Sequence, residues 1–152
     1  MVHKPLGALV PLLLLLASAP ADACDCSMKP LSNAIRTDYP FIFEGTVVEI
    51  VERSLHTTRT TSGGGTGEIE ALGREVVLEV RRAWNGVTTK RIAVSAAWSD
   101  CMFPFEIDRT YVVFSWKGAK GELMSSHCTP TVESSKAADV LARLGRATVP
   151  RR

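Results

Sequence analysis

Outside its first two dozen residues the chain lacks any apolar run long enough to cross a bilayer, which takes roughly 20 such residues. No stable membrane insertion of the body is expected. Net charge is also small: 18 basic against 16 acidic side chains leave a formal +2. Nucleic-acid binding needs basic residues gathered on one face. The only dense spots are Arg81-Arg82 and Arg151-Arg152, which read as solvated charge, so no nucleic-acid partner is expected. Histidine is scarce. His56 stands in a Gly/Thr-rich stretch and His127 beside a cysteine, neither with a visible nucleophile partner. That disfavours a hydrolase triad, and the chain reads as a non-enzyme without a cofactor. A Cys-x-x-Cys redox pair beside a βαβ unit is missing. The glycines at 63–65 are not followed by the Lys-Ser/Thr of a phosphate cradle. There is no internal repeat and no linker that would divide domains.

What is present starts with a leader. His3 and Lys4 make a weakly basic start, Leu9 to Ala17 is apolar apart from Pro11, and Ala21-x-Ala23 fits a small-residue cleavage site. Residues 1–23 are expected to be a signal peptide and 24–152 one domain of 152 − 23 = 129 residues. The expected location is secreted, extracellular or periplasmic. An uncleaved anchor and a lipid on Cys24 are the alternatives. All four cysteines, Cys24, Cys26, Cys101 and Cys128, lie after the cut, and an even number in an exported chain favours two disulfides. A Cys24–Cys26 ring would be too tight. Both early cysteines therefore pair with late ones, and of the two ways to do so Cys24–Cys101 with Cys26–Cys128 is preferred. A rival use is a zinc set of Cys24, Cys26, His127 and Cys128.

Along the body, Ser27 to Tyr39 reads as a short helix stopped by Pro40. Phe41 to Glu52 is a β-branched and aromatic strand, with Gly45 marking a bulge. The stretch from His56 to Gly67 reads as a flexible loop. Arg74 to Trp84 is a second strand, with Val76, Leu78 and Val80 on the buried face. Trp84-Asn85-Gly86 is a turn. Arg91 to Ala97, Tyr111 to Trp116 and Glu122 to Ser125 are three more strands, with Gly118 and Gly121 flanking a turn. Ser134 to Leu144 is a helix capped by Ser134 or Ser135 and stopped by Gly145. The expected fold is mainly β: a five-stranded, OB-fold-like closed antiparallel barrel with short flanking helices and a disulfide-stapled amino terminus. Trp84, Trp98 and Trp116 are expected to pack rather than serve as stacking platforms for a sugar or oligonucleotide.

These pieces together resemble the tissue inhibitors of metalloproteinases and their netrin-like superfamily. The resemblance is carried by Cys24-Asp25-Cys26, by Tyr39-Pro40-Phe41-Ile42-Phe43-Glu44-Gly45-Thr46-Val47, and by Val76-x-Leu78-x-Val80-x-x-x-Trp84-x-Gly86. Cys101-x-x-Pro104-Phe105, Tyr111-Val112-Val113-Phe114 and Leu123-x-Ser125-Ser126-His127-Cys128 complete it. Each motif is weak by itself, and the order and spacing are more specific. The match spans Cys24 to Cys128 and implies the amino-terminal inhibitory domain alone. Departures are Met102 and Asp108-Arg109, where the family often has glycine, and the absence of a third disulfide.

The resemblance implies a secreted, monomeric inhibitor of zinc metalloendopeptidases whose partner is the protease itself. The α-amine and carbonyl of Cys24 would chelate the target's catalytic zinc and displace its water. Such a zinc keeps an open position, and an α-amine of reference pKa about 7.7–8.0 gives up its proton readily. The implied contact ridge is Cys24, Asp25, Cys26 and Ser27 beside Ser99, Asp100 and Cys101. Asp25 would stand at the mouth of the primary specificity pocket, where the family prefers Thr or Ser. A carboxylate in an apolar pocket costs several kcal/mol, so a polar or basic target pocket, or weak inhibition, is expected. The alternative function is a non-inhibitory netrin-like interaction module.

Overall fold

The computed structural model describes residue 26 and residues 35–60, 64–97 and 101–151, with only the backbone described at 55–60, 68–72 and 97. Six strands form one mixed sheet: β1 (Phe41–Thr60), β2 (Thr66–Asn85), β3 (Arg91–Ala97), β4 (Thr110–Lys117), β5 (Leu123–Met124) and β6 (Val132–Glu133). Among the described residues two short helices accompany them, α1 (Ile35–Asp38) and α2 (Ala138–Leu144), the second preceded by a 3-10 turn over Ser134–Lys136.

The strand order is β1-β2-β3-β5-β4-β6, and β1 also pairs with β4 from Phe41↔Ser115 to Thr46↔Thr110. All pairings are antiparallel except β3–β5, which is parallel through Ser95↔Met124. The all-antiparallel expectation is corrected at that point. Strand β5 turns back antiparallel onto β4 after the Gly118–Gly121 turn, so it must run parallel to β3 on its other edge.

Register slips in the β1–β2 ladder fall at Ile42/Phe43, Glu44/Gly45 and Val47/Glu49. The bulged stretch includes Gly45 because a side chain does not fit there. A Cβ on Gly45 would stand 3.0 Å from the Glu79 carbonyl oxygen and 3.1 Å from Leu78 Cβ. Bulges bend and coil a strand, which lets β1 reach β2 on one edge and β4 on the other.

Two cores lie on opposite faces of the sheet. Strand β4 shows why: Tyr111 and Val113 enter the cluster of Phe43, Val47, Val76, Leu78 and Val94, while Val112 and Phe114 enter that of Ile35, Ile42, Trp84, Val140 and Leu144. The period of two in the strand sends alternate residues to each face. Burying each large apolar side chain stabilises by about 1.5–3 kcal/mol. The expected inward face of β2 is observed, with Val76, Leu78 and Val80 buried and Glu79 and Arg81 exposed.

Three further expectations are corrected. The loop expected at His56–Gly67 is mostly strand, with pairing continuing from His56↔Glu70 to Thr60↔Thr66. The Gly/Thr-rich composition hid the strand, although β-branched threonine is itself at home in one. The helix expected from Ser134 starts at Ala138, and neither serine caps it, the N-cap position being Ala137. Gly145 does end it, at φ 65° with its N–H on the Leu141 carbonyl. Trp116 is 37% exposed rather than packed, although its main chain is paired with Met124 of β5; Trp84 is buried, with its indole N–H on the Gly145 carbonyl. Of the expected first helix only Ile35–Asp38 falls within the described residues, and Trp98 lies outside them.

Candidate functional site

The expected site is the staple at the amino end. Cys26 is bonded to Cys128, with Cα atoms 5.1 Å apart across 102 residues of sequence. Closing a loop of that length stabilises by on the order of 4–5 kcal/mol in the chain-entropy model. Cys101 is disulfide-bonded as well. Its expected partner Cys24 lies outside the described residues, as do Asp25, Ser27, Ser99 and Asp100. Of the expected contact ridge, the described residues are therefore Cys26 and Cys101.

The two late cysteines sit side by side. The His127 N–H donates to the Cys101 carbonyl at 2.7 Å, which draws the Cys101 segment against the turn that carries Cys128. Cys26, Cys101, Met102 and Cys128 are half-buried and His127 is exposed, so the sulfurs stand at the rim rather than in the core. His127 contributes its main chain here, which is why its side chain gave no useful signal. The zinc set of Cys24, Cys26, His127 and Cys128 is corrected: Cys26 and Cys128 are consumed in their disulfide. Among the described residues no cluster of three His, Cys, Asp or Glu side chains could hold a metal.

Three rings clamp the segment after Cys101 to the core. Phe103 and Phe105 lie 4.7 Å apart between centroids, and Tyr111 meets them edge-on at 5.6 and 5.1 Å. Aromatic pairs of this kind add about 0.5–1.5 kcal/mol each beyond burial. The Tyr111 hydroxyl accepts the Glu106 N–H at 3.1 Å. Burial pushes the Tyr111 phenol above its ordinary pKa, and the nearby Glu106 and Glu133 charges add to this against the Glu106 N–H bond and Arg109, so the phenol stays neutral. Only Phe105 and Tyr111 of this clamp were visible in the sequence motifs. Phe103 needed the fold to bring it onto Tyr111.

The rim next to this clamp turns at Asp108, which has φ 62° and donates its N–H to the Val47 carbonyl. On the helix-covered face, Glu44 is the one buried acid or base among the described residues. Arg82 grips it in bidentate fashion, Nε at 2.6 Å and an Nη at 3.2 Å, and lies over the Trp84 ring. Burial works to raise the Glu44 pKa. The Arg82 hydrogen bonds and the Arg82 and Arg81 charges outweigh it and hold the carboxyl below its usual range. This pair is structural and was not foreseen, since a buried acid in a strand gives no periodic signal.

A separate open cleft of about 880 Å³ is lined by Val87, Thr88, Thr148, Val149, Pro150 and Arg151, where Thr148 bridges back to Ala83. Its lining offers no acid–base pair or nucleophile dyad. No family model matches the chain, and no curated protein matches it.

Proposed function

We propose that the protein is an exported inhibitor of zinc metalloendopeptidases that acts through the α-amine and carbonyl of Cys24. The observation that supports this reading most is the Cys26–Cys128 staple, which fastens the segment just after Cys24 to the end of the sheet. A chelating terminus binds well only if it is already ordered, because ordering it on contact costs affinity. The adjacency of Cys101 and Cys128 at one rim gives a second anchor point beside the first. The proposed contact surface is Cys24, Asp25, Cys26 and Ser27 with Ser99, Asp100 and Cys101, held in a monomer. Two disulfides fit an oxidising, extracellular or periplasmic location.

The scaffold belongs to the same reading. The pairings β1–β2, β2–β3, β3–β5, β5–β4 and β4–β1 form a complete ring. A five-stranded barrel of the OB kind, with β6 added on β4, accounts for that ring and for the slips beside Gly45.

Purified exported protein tests the proposal. Its mass and amino-terminal sequence are expected to show a start at free Cys24 and four oxidised sulfurs. Titrated against a zinc metalloendopeptidase, this form is expected to inhibit, and a form with one extra residue before Cys24 to lose at least about a hundredfold in affinity, equivalent to about 2.7 kcal/mol. Equal binding by both forms would instead favour the interaction-module reading.

A further inference from the structure

The turn that carries Cys128 is mounted on β4 in an unusual way. Along one edge of β4, pairing with β6 reaches Val112↔Val132 and pairing with β5 resumes at Trp116↔Met124. Phe114 lies in the gap, and on that edge its N–H and C=O meet side-chain hydroxyls instead of a strand. The Phe114 N–H donates to Thr131 Oγ1 at 3.0 Å, and Ser125 Oγ donates to the Phe114 carbonyl at 3.2 Å. Thr129 Oγ1 lies 2.8 Å from Thr131 Oγ1 and 3.3 Å from Ser125 Oγ, and donates to the Ser126 carbonyl at 2.8 Å. Ser125, Thr129 and Thr131 are all buried. Their three protons can all be placed: Thr129 onto Ser126 O, Thr131 onto Thr129 Oγ1, and Ser125 onto Phe114 O. The Cys128 N–H completes the turn by donating to Ser126 Oγ at 3.2 Å. Residues 125–131 thus loop out between β5 and β6 with their hydroxyls turned inward and Cys128 left at the rim.

We propose that Thr129, the member of this hydroxyl cluster next to Cys128 and joined to β4 through Thr131 and Ser125, is a positioning residue that fixes Cys128, and through the disulfide Cys26, against β4. A disulfide alone limits how far two segments part, not how the turn beneath it is oriented. The cluster supplies that orientation by satisfying main-chain groups that would otherwise be buried unpaired, which is costly. The effect on the amino end as an inhibitor rests on the function proposed above. The effect on the turn does not.

The test compares Thr129→Val, which keeps the shape and loses the hydroxyl, with Thr129→Ser, which keeps the hydroxyl. Two readouts are followed in the oxidised protein: amide hydrogen exchange, and the rate at which dithiothreitol opens Cys26–Cys128, located by peptide mass. In Thr129→Val the amides of 126–129 are expected to exchange about tenfold faster, with reduction accelerated alike, while Val112 and Val113 keep their protection. Thr129→Ser is expected to restore both rates. Uniform acceleration across β4, equal effects of the two variants, or no change at 126–129 would overturn the proposal. If Thr129→Val does not fold, Ser125→Ala carries the same comparison. In a protease titration Thr129→Val is expected to weaken inhibition. If the unaltered protein inhibits nothing while the exchange pattern holds, the functional reading falls and the positioning role stands.

Discussion

Asp108 holds a backbone conformation that suits glycine. Its φ of 62° lies in the left-handed region, where a side chain costs about 1 kcal/mol and Asp is among the better tolerated. Asp108→Gly should therefore raise stability by about 0.5 kcal/mol, the relief of strain being partly offset by extra freedom in the unfolded chain. A higher melting temperature checks it. The Glu44–Arg82 pair has a signed pH consequence. The folded Glu44 carboxyl titrates below its ordinary value of 4.5. The stability it contributes is complete above that value and is lost as pH falls through the lower, folded one. In Arg82→Met the burial that opposes ionisation should win over the remaining Arg81 charge, placing the folded pKa above the unfolded one. The variant should then be less stable by about 1–3 kcal/mol at neutral pH, and the deficit should shrink in acid as Glu44 takes up a proton. Urea unfolding at neutral and acidic pH measures both.

At the scale of elements, β1 depends on a missing side chain. Gly45→Val would drive methyl groups into the Glu79 carbonyl and Leu78 where a bare Cβ already meets 3.0 and 3.1 Å. A loss of about 1–3 kcal/mol is expected, read as a lower urea midpoint at unchanged slope. The elements differ in how much of them was legible. Strand β3 runs from Arg91 to Ala97 as its residue pattern predicts, and β4 extends one residue beyond each expected end. The outer half of the β1–β2 hairpin was illegible, since the Gly/Thr-rich stretch from His56 to Gly67 carries no apolar alternation. Strand β6 has two residues, too few for any period. The hydroxyl cluster under Cys128 was illegible for a further reason: Ser125, Thr129 and Thr131 look like ordinary turn residues until the gap on β4 between β5 and β6 is seen.

At the scale of the whole molecule, the cysteine count and the mainly β character were readable, and Cys26–Cys128 is bonded as expected. Four cysteines leave only three ways to form two disulfides, and alternating apolar residues announce strands. Which strand pairs with which was not readable from residue patterns, because the β1–β4 contact joins residues more than 60 positions apart. The proposed activity concentrates on one atom, the main-chain nitrogen of Cys24, and on whether it reaches a protease's metal. A cobalt-substituted zinc metalloendopeptidase makes that visible, since the ion's absorption spectrum reports its ligands. Adding the form that begins at Cys24 should change the cobalt bands as nitrogen and carbonyl oxygen replace water, and the form extended by one residue should leave them unchanged. Bands that stay constant while the protease is saturated with the Cys24 form would contradict the account.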